Sequence, residues 1–264
     1  MRASLGPARR FLQTLCLAGA VLPVLSACVS SKAPPSPAKQ KEAAGYNVQL
    51  GLAYMRQGDL ALAKDKLDKA VKEDPDNADV HSARGLLFQK MNQNDKADAE
   101  FRTALSLKPH DPTILNFYGV FLCQAGRTDD AVKRFEEAAN NPLYSTPEAA
   151  YTNAGVCLHA AKKDDQARAY FVKALQKRPN FAEAEFQLTS LDFERHHYAQ
   201  ARASLDLYMT TFNETADLLL LGVRIARAQG DAVGAQRYAH RLQQDFPGSD
   251  QVRALAELER TPPG

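Results

Sequence analysis

The chain has 264 residues, 45% of them hydrophobic and 24% charged, with 33 Lys and Arg against 31 Asp and Glu and no tryptophan. A formal charge of only +2 offers no electrostatic footprint for nucleic acid or an anionic lipid surface. Arg2, Arg9 and Arg10 fall within the first 27 residues, which hold no acidic residue; beyond them 30 basic side chains stand against 31 acidic ones.

Those arginines precede an apolar run from Phe11 to Leu25 and then small residues, the layout of a signal peptide. As a helix the fifteen apolar-run residues would span about 22 Å, short of the roughly 30 Å hydrocarbon core, and Pro23 interrupts them. The order Leu25-Ser26-Ala27-Cys28 resembles the bacterial lipobox. That resemblance implies removal of a lipoprotein signal peptide at 1–27, a diacylglyceryl group on the Cys28 sulfur and acylation of the new amino terminus. Several acyl chains on one residue are what stable anchoring needs, since one chain binds a membrane only marginally. Val29 follows the cysteine where the inner-membrane retention signal would have Asp. The implied location is therefore the periplasmic face of the outer membrane, lipid-anchored in its inner leaflet. A plain secreted protein with an incidental cysteine is the alternative.

Residues 28–43 read as a lipidated tether: Pro34, Pro35 and Pro37 among Ser, Ala and Lys favour extended, solvated backbone. From residue 44 the sequence repeats. Gly51, Gly85 and Gly119 stand 34 residues apart, and Gly155 follows after 36. In step run Ala63, Ala97, Ala131 and Ala167, then Leu67, Phe101, Phe135 and Phe171, then Ala70, Ala104, Ala138 and Ala174, and the units close with Pro75, Pro109, Pro142 and Pro179. Small residues at these spacings let two antiparallel helices approach closely, and the proline stops the second helix. A fifth unit keeps Leu188, Ala201 and Leu205 but has Thr189 for glycine; a sixth keeps Gly222, Ala235 and Pro247 with its two helices one residue out of register. The segment from Ser249 to Arg260 has an N-cap serine and Val252, Leu255 and Leu258 at helical spacing, suited to covering the end of a stack.

These residues and the turns "RQGD", "QAGRTDD" and "AQGD" resemble the tetratricopeptide repeat. The implied fold is all-α, a right-handed superhelix of six helix-turn-helix units at about 44–77, 78–111, 112–147, 148–181, 182–214 and 215–248, with a capping helix and tail at 249–264. The two extra residues of the third unit are expected in a loop at "NNPLYSTPE".

In such a superhelix the first helices line the inner face. The residues three before, one after and four after each glycine position give Val48, Leu52 and Met55, then Ser82, Leu86 and Gln89, then Asn116, Val120 and Cys123. The fourth unit gives Thr152, Val156 and His159, and the fifth Phe186, Ser190 and Phe193. The Lys/Asn carboxylate clamp of peptide-binding relatives is missing. An apolar-to-neutral groove of Val48, Leu52, Met55, Leu86, Asn116, Val120, Val156, Phe186 and Phe193 suits an amphipathic helix of a protein partner, although Leu52 and Leu86 could equally complete packing between repeats.

No phosphate loop, nucleophile elbow or paired metal-ligand spacing is present, so neither enzyme activity nor a cofactor, metal or small-molecule substrate is expected. His196-His197 reads as a solvated turn, and His159 as a groove or packing residue. Cys123 and Cys157 sit on neighbouring first helices whose axes lie about 10 Å apart, at positions that do not face each other squarely. Two buried thiols are expected, with a disulfide as the alternative in an oxidising compartment.

The layout, with "LLLLGVRIARAQGD" and the "NNPLY" insertion, resembles the type IV pilus biogenesis/stability lipoproteins that serve as pilotins. The resemblance implies binding of secretin subunits and their delivery to the outer membrane for multimerisation. A periplasmic envelope scaffold organising a cell-wall enzyme complex is the alternative.

Overall fold

The computed structural model describes residues 36–260, which hold thirteen α-helices and no strand. Cys28 and most of the expected tether lie outside the described residues. Six antiparallel pairs follow in chain order: α1 (Pro37–Gln57) with α2 (Leu60–Glu73), α3 (Ala78–Lys90) with α4 (Asn94–Leu107), and α5 (Pro112–Gln124) with α6 (Thr128–Ala139). They continue with α7 (Pro147–Ala160) and α8 (Asp164–Lys177), α9 (Ala182–Glu194) and α10 (Tyr198–Thr211), and α11 (Ala216–Ala228) and α12 (Ala232–Asp245). The last helix, α13 (Asp250–Arg260), packs on α11 and α12 where a seventh first helix would stand. Each first helix touches the first helices on either side of it, as in a tetratricopeptide superhelix.

The repeated small residues do what their spacing requires. A Cβ placed on Gly85, Gly119 or Gly155 would come within 3.0 Å of the ring of Phe101, Phe135 or Phe171, the large residue of the partner helix. Those three rings are among the most completely buried side chains of the chain. Where Thr189 replaces the glycine, Leu205 replaces the ring, and the Thr189 hydroxyl donates to the Glu185 carbonyl at 2.8 Å, satisfying a buried polar group. Helices start on side-chain caps at Asp59, Asn77, Asp111, Thr215 and Asp231. The closing prolines each follow the end of a second helix by two or three residues.

The structure departs from the sequence expectations at one place here. Helix α1 begins at Pro37, inside the segment expected to be extended. Proline is well placed in the first turn, where its missing N–H costs no hydrogen bond, and the Ala and Lys residues after it are good helix formers. The sixth unit is one residue out of register, as expected: the positive-φ turn residue follows the glycine position by 7 residues at Gly51, Gly85, Gly119 and Gly155 but by 8 from Gly222 to Gly230. Ala235 keeps the place of Ala63 and Ala131, five residues after the turn, and the helix crossing takes up the slip, with Gly222 abutting the ring of Tyr238 one residue before the place that Phe135 holds in its unit.

The turns inside the six pairs share one backbone device. Gly58, Asn92, Gly126, Lys162, His196 and Gly230, at equivalent places, all have positive φ between 55° and 82°. Glycine meets that requirement without strain and asparagine nearly so; Lys162 and His196 adopt it against their own preference. His196 is exposed, its Nδ1 2.6 Å from the Tyr198 hydroxyl, as a solvated turn requires.

Candidate functional site

The inner face is built from the first helices, and a recess lies over the first three repeats. A cavity of about 600 Å³ is floored by Leu52, Met55, Leu86, Phe117 and Val120 and bordered by Arg56 and Lys90. Asn116 also lines it, its carboxamide oxygen accepting from Asn153 Nδ2 at 3.0 Å, while Gln89 Nε2 donates to Gln124 Oε1 at 2.7 Å. These amide pairs bridge consecutive repeats and leave polar atoms beside an apolar floor, a surface that can hold an apolar strip and meet its backbone. Val48, Leu52 and Leu86 share a neighbouring cavity of about 320 Å³.

The expected groove residues are thus not one continuous strip. Val156 is 40% exposed and lines neither cavity. Phe186 and Phe193 line a separate recess of about 160 Å³ toward the C-terminal end. Phe117 escaped notice in the sequence because it lies one residue beyond Asn116, off the three positions taken as inward-facing; its aromatic bulk on the same helix was the available signal.

Cys123 and Cys157 form a disulfide with Cα atoms 5.7 Å apart, in place of the two thiols expected. The axis separation of neighbouring helices overstated the gap: side chains at the contact close most of it, and a Cα separation near 5.7 Å is ordinary for a disulfide. The bond ties α5 to α7 on the inner side of the stack. His159 sits between carboxylates, Nδ1 2.8 Å from Asp164 and Nε2 3.1 Å from Glu194, so it joins repeat four to repeat five.

Ion clusters elsewhere fasten adjacent repeats. Arg84 donates to Glu100 at 2.7 Å and pairs with Asp68, while His81 Nδ1 lies 2.7 Å from Glu100 and its Nε2 2.7 Å from the Pro75 carbonyl. The Glu100 hydrogen bond raises the His81 pKa above its ordinary value, against burial, which pushes it down. Burial acts to raise the Glu100 carboxyl, but hydrogen bonds from His81 and Arg84 outweigh it and hold that pKa low. At the next junction Tyr118 donates to Asp98 at 2.8 Å and Arg127 reaches the same carboxylate at 3.0 Å. Among the described residues no group of three or more His, Cys, Asp or Glu could hold a metal ion, and no helix is long and apolar enough to cross a membrane.

Residues 51–92 match a family model described as TPR repeat, and residues 82–146 and 122–180 one described as tetratricopeptide repeat. Fold and matches together define a tetratricopeptide-repeat protein. The chain is 34% identical over 229 residues to the type IV pilus assembly protein PilF of Pseudomonas aeruginosa, covering 85% of this chain and 90% of that protein. A solved structure of PilW, described as a widely conserved type IV pilus biogenesis factor, superposes with a TM-score of 0.71 at 33% identity over 81% of this chain and 99% of its own. A structure of Pseudomonas aeruginosa PilF gives a TM-score of 0.67 at 32% identity, covering 83% and 99%. The chain belongs to the family of tetratricopeptide-repeat proteins of type IV pilus biogenesis that includes PilF and PilW.

Proposed function

We propose that this protein is a pilotin: a lipoprotein, anchored through Cys28 to the inner leaflet of the outer membrane, that binds secretin subunits of the type IV pilus through its inner face and promotes their localisation and multimerisation there. The observation that carries this is the similarity to PilF and PilW over more than four fifths of the chain, with the repeats that make the groove inside it. The apolar cavity over the first three repeats supports a helix-in-groove grip. The lipobox-like residues before Cys28 support an anchor able to carry the bound subunit to one membrane.

The test replaces Cys28 by Ala and follows secretin multimers in fractionated envelopes. Multimers should fall and secretin monomers should leave the outer-membrane fraction; unchanged multimers and piliation in that background would defeat the proposal. Crosslinking in intact cells should recover the secretin with the protein, whereas recovery of a cell-wall enzyme instead would support the scaffold alternative.

A further inference from the structure

We propose that the inner face of repeats five and six is a second docking site, one that takes a cationic amphipathic segment of a protein partner. It rests on reading the inner face as a protein-binding groove, but not on the partner being the secretin.

Phe186 on α9 lines two adjoining recesses, of about 230 and about 160 Å³, at the junction with α11. The smaller recess adds Phe193, Leu220 and Leu221, so its floor is aromatic and aliphatic. Phe186 and Phe193 are only partly buried although they pack against the core of the C-terminal repeats. Half-covered aromatics in a concavity are the common anchors of protein recognition.

The border of this site is acidic. Glu183 and Asp217 line one recess, and Glu194 and Asp217 the other, against a single guanidinium, Arg224. None of the three carboxylates pairs with Lys or Arg among the described residues. Glu183 accepts from the Gln187 amide at 2.8 Å, Asp217 from the Gln251 amide at 2.6 Å, and Glu194 lies 3.1 Å from His159. Neutral amides leave the charge of Glu183 and Asp217 standing. The cavity over repeats one to three carries the opposite sign: Arg56 and Lys90 border it, with no carboxylate in its lining. One inner face thus presents two apolar recesses of opposite charge, and complementarity sends a cationic segment to repeats five and six. An occupant with leucines at i, i+3, i+4 and i+7 and lysines on the opposite face would set its apolar strip on Phe186 and Phe193 while its edge lysines meet Glu183, Glu194 and Asp217.

Two fluorescent synthetic helical peptides, sharing those leucines and differing only in Lys or Glu on the polar face, test the site on the purified full chain by anisotropy at low salt. The Lys peptide should bind saturably. Its affinity should fall about tenfold in the doubly substituted Glu183→Gln, Glu194→Gln protein and stay within about twofold in Arg56→Gln, Lys90→Gln. Both pairs are exposed, and matching thermal melts confirm that the variants fold. The proposal is overturned by no saturable Lys-peptide binding below about 1 mM, by no loss in the first variant, or by equal losses in both. Secretin takes no part in the assay, so its outcome stands apart from that of the Cys28→Ala test.

Discussion

Cys123 on α5 and Cys157 on α7, 34 residues apart in sequence, are covalently joined across two consecutive repeats with Cα atoms 5.7 Å apart. Closing a loop of that length removes denatured-state entropy worth about 3 to 4 kcal/mol at room temperature. Replacing both cysteines by serine, or reducing the bond, should lower the unfolding free energy by about 2 to 4 kcal/mol. Urea titrations with and without reductant check this; identical midpoints, or free thiols at both positions in the unreduced protein, would contradict it.

Glycines in the same chain should respond to alanine with opposite signs. A Cβ on Gly155 would lie 2.5 Å from the Phe171 ring, which is fully buried and has no room to retreat. Gly155→Ala should destabilise by about 1 to 3 kcal/mol. Gly45 lies inside α1, and a methyl group added there would have nothing within 4 Å of it. Gly45→Ala should therefore add about 0.5 to 1 kcal/mol through helix propensity alone. Denaturant midpoints of the two variants should move apart; movement in the same direction would refute the packing account.

Lys162 holds φ 62° at the turn between α7 and α8, where Gly58, Gly126 and Gly230 serve the equivalent turns. Lys162→Gly should raise stability by about 1 kcal/mol, because relief of the left-handed strain exceeds the entropy that glycine adds to the unfolded chain. Asn92→Gly, at φ 55°, should change little, since asparagine tolerates that region. A thermal shift for Asn92→Gly as large as that for Lys162→Gly would show that backbone strain is not the cause.

Both ring nitrogens of His81 face acceptors, Glu100 and the Pro75 carbonyl, an arrangement that only the protonated ring satisfies with two donors. The folded pKa of His81 is raised, so its contribution to stability is full below the unfolded value near 6.5 and is lost as pH rises through the folded value. Glu100, held low, contributes above its unfolded value and loses that contribution on acidification. The urea midpoint should therefore decline from about pH 6 to about pH 8, and His81→Gln should flatten that decline. An equal slope in the variant would place the effect on another group.

Sequence periodicity made the repeats legible because small residues and rings recur at intervals that helix pairing demands. Gly119 with Phe135 and Gly155 with Phe171 could be paired on paper, and the six-unit stack with its closing helix followed. The slip in the last unit was legible for the same reason: Gly230, Ala235 and Pro247 keep the spacing of the earlier units while Gly222 stands one residue further from them. Of the groove, Leu52, Met55, Leu86, Asn116 and Val120 did converge on one cavity. Phe117, the separation of Phe186 and Phe193, and the cluster of Asp68, Arg84, His81 and Glu100 depend on how far each long side chain reaches across a junction, which spacing does not encode.

The bond between Cys123 and Cys157 also changes how the protein bears load. In a stack whose repeats hold only their neighbours, a pull applied between its two ends would peel units off one at a time. The crosslink takes the 33 residues between its cysteines out of the force path, shortening the reach of the fully stretched chain by roughly 110 Å. A pull that reaches the middle of the stack is thereby carried through the crosslink, and the segment it encloses yields no length.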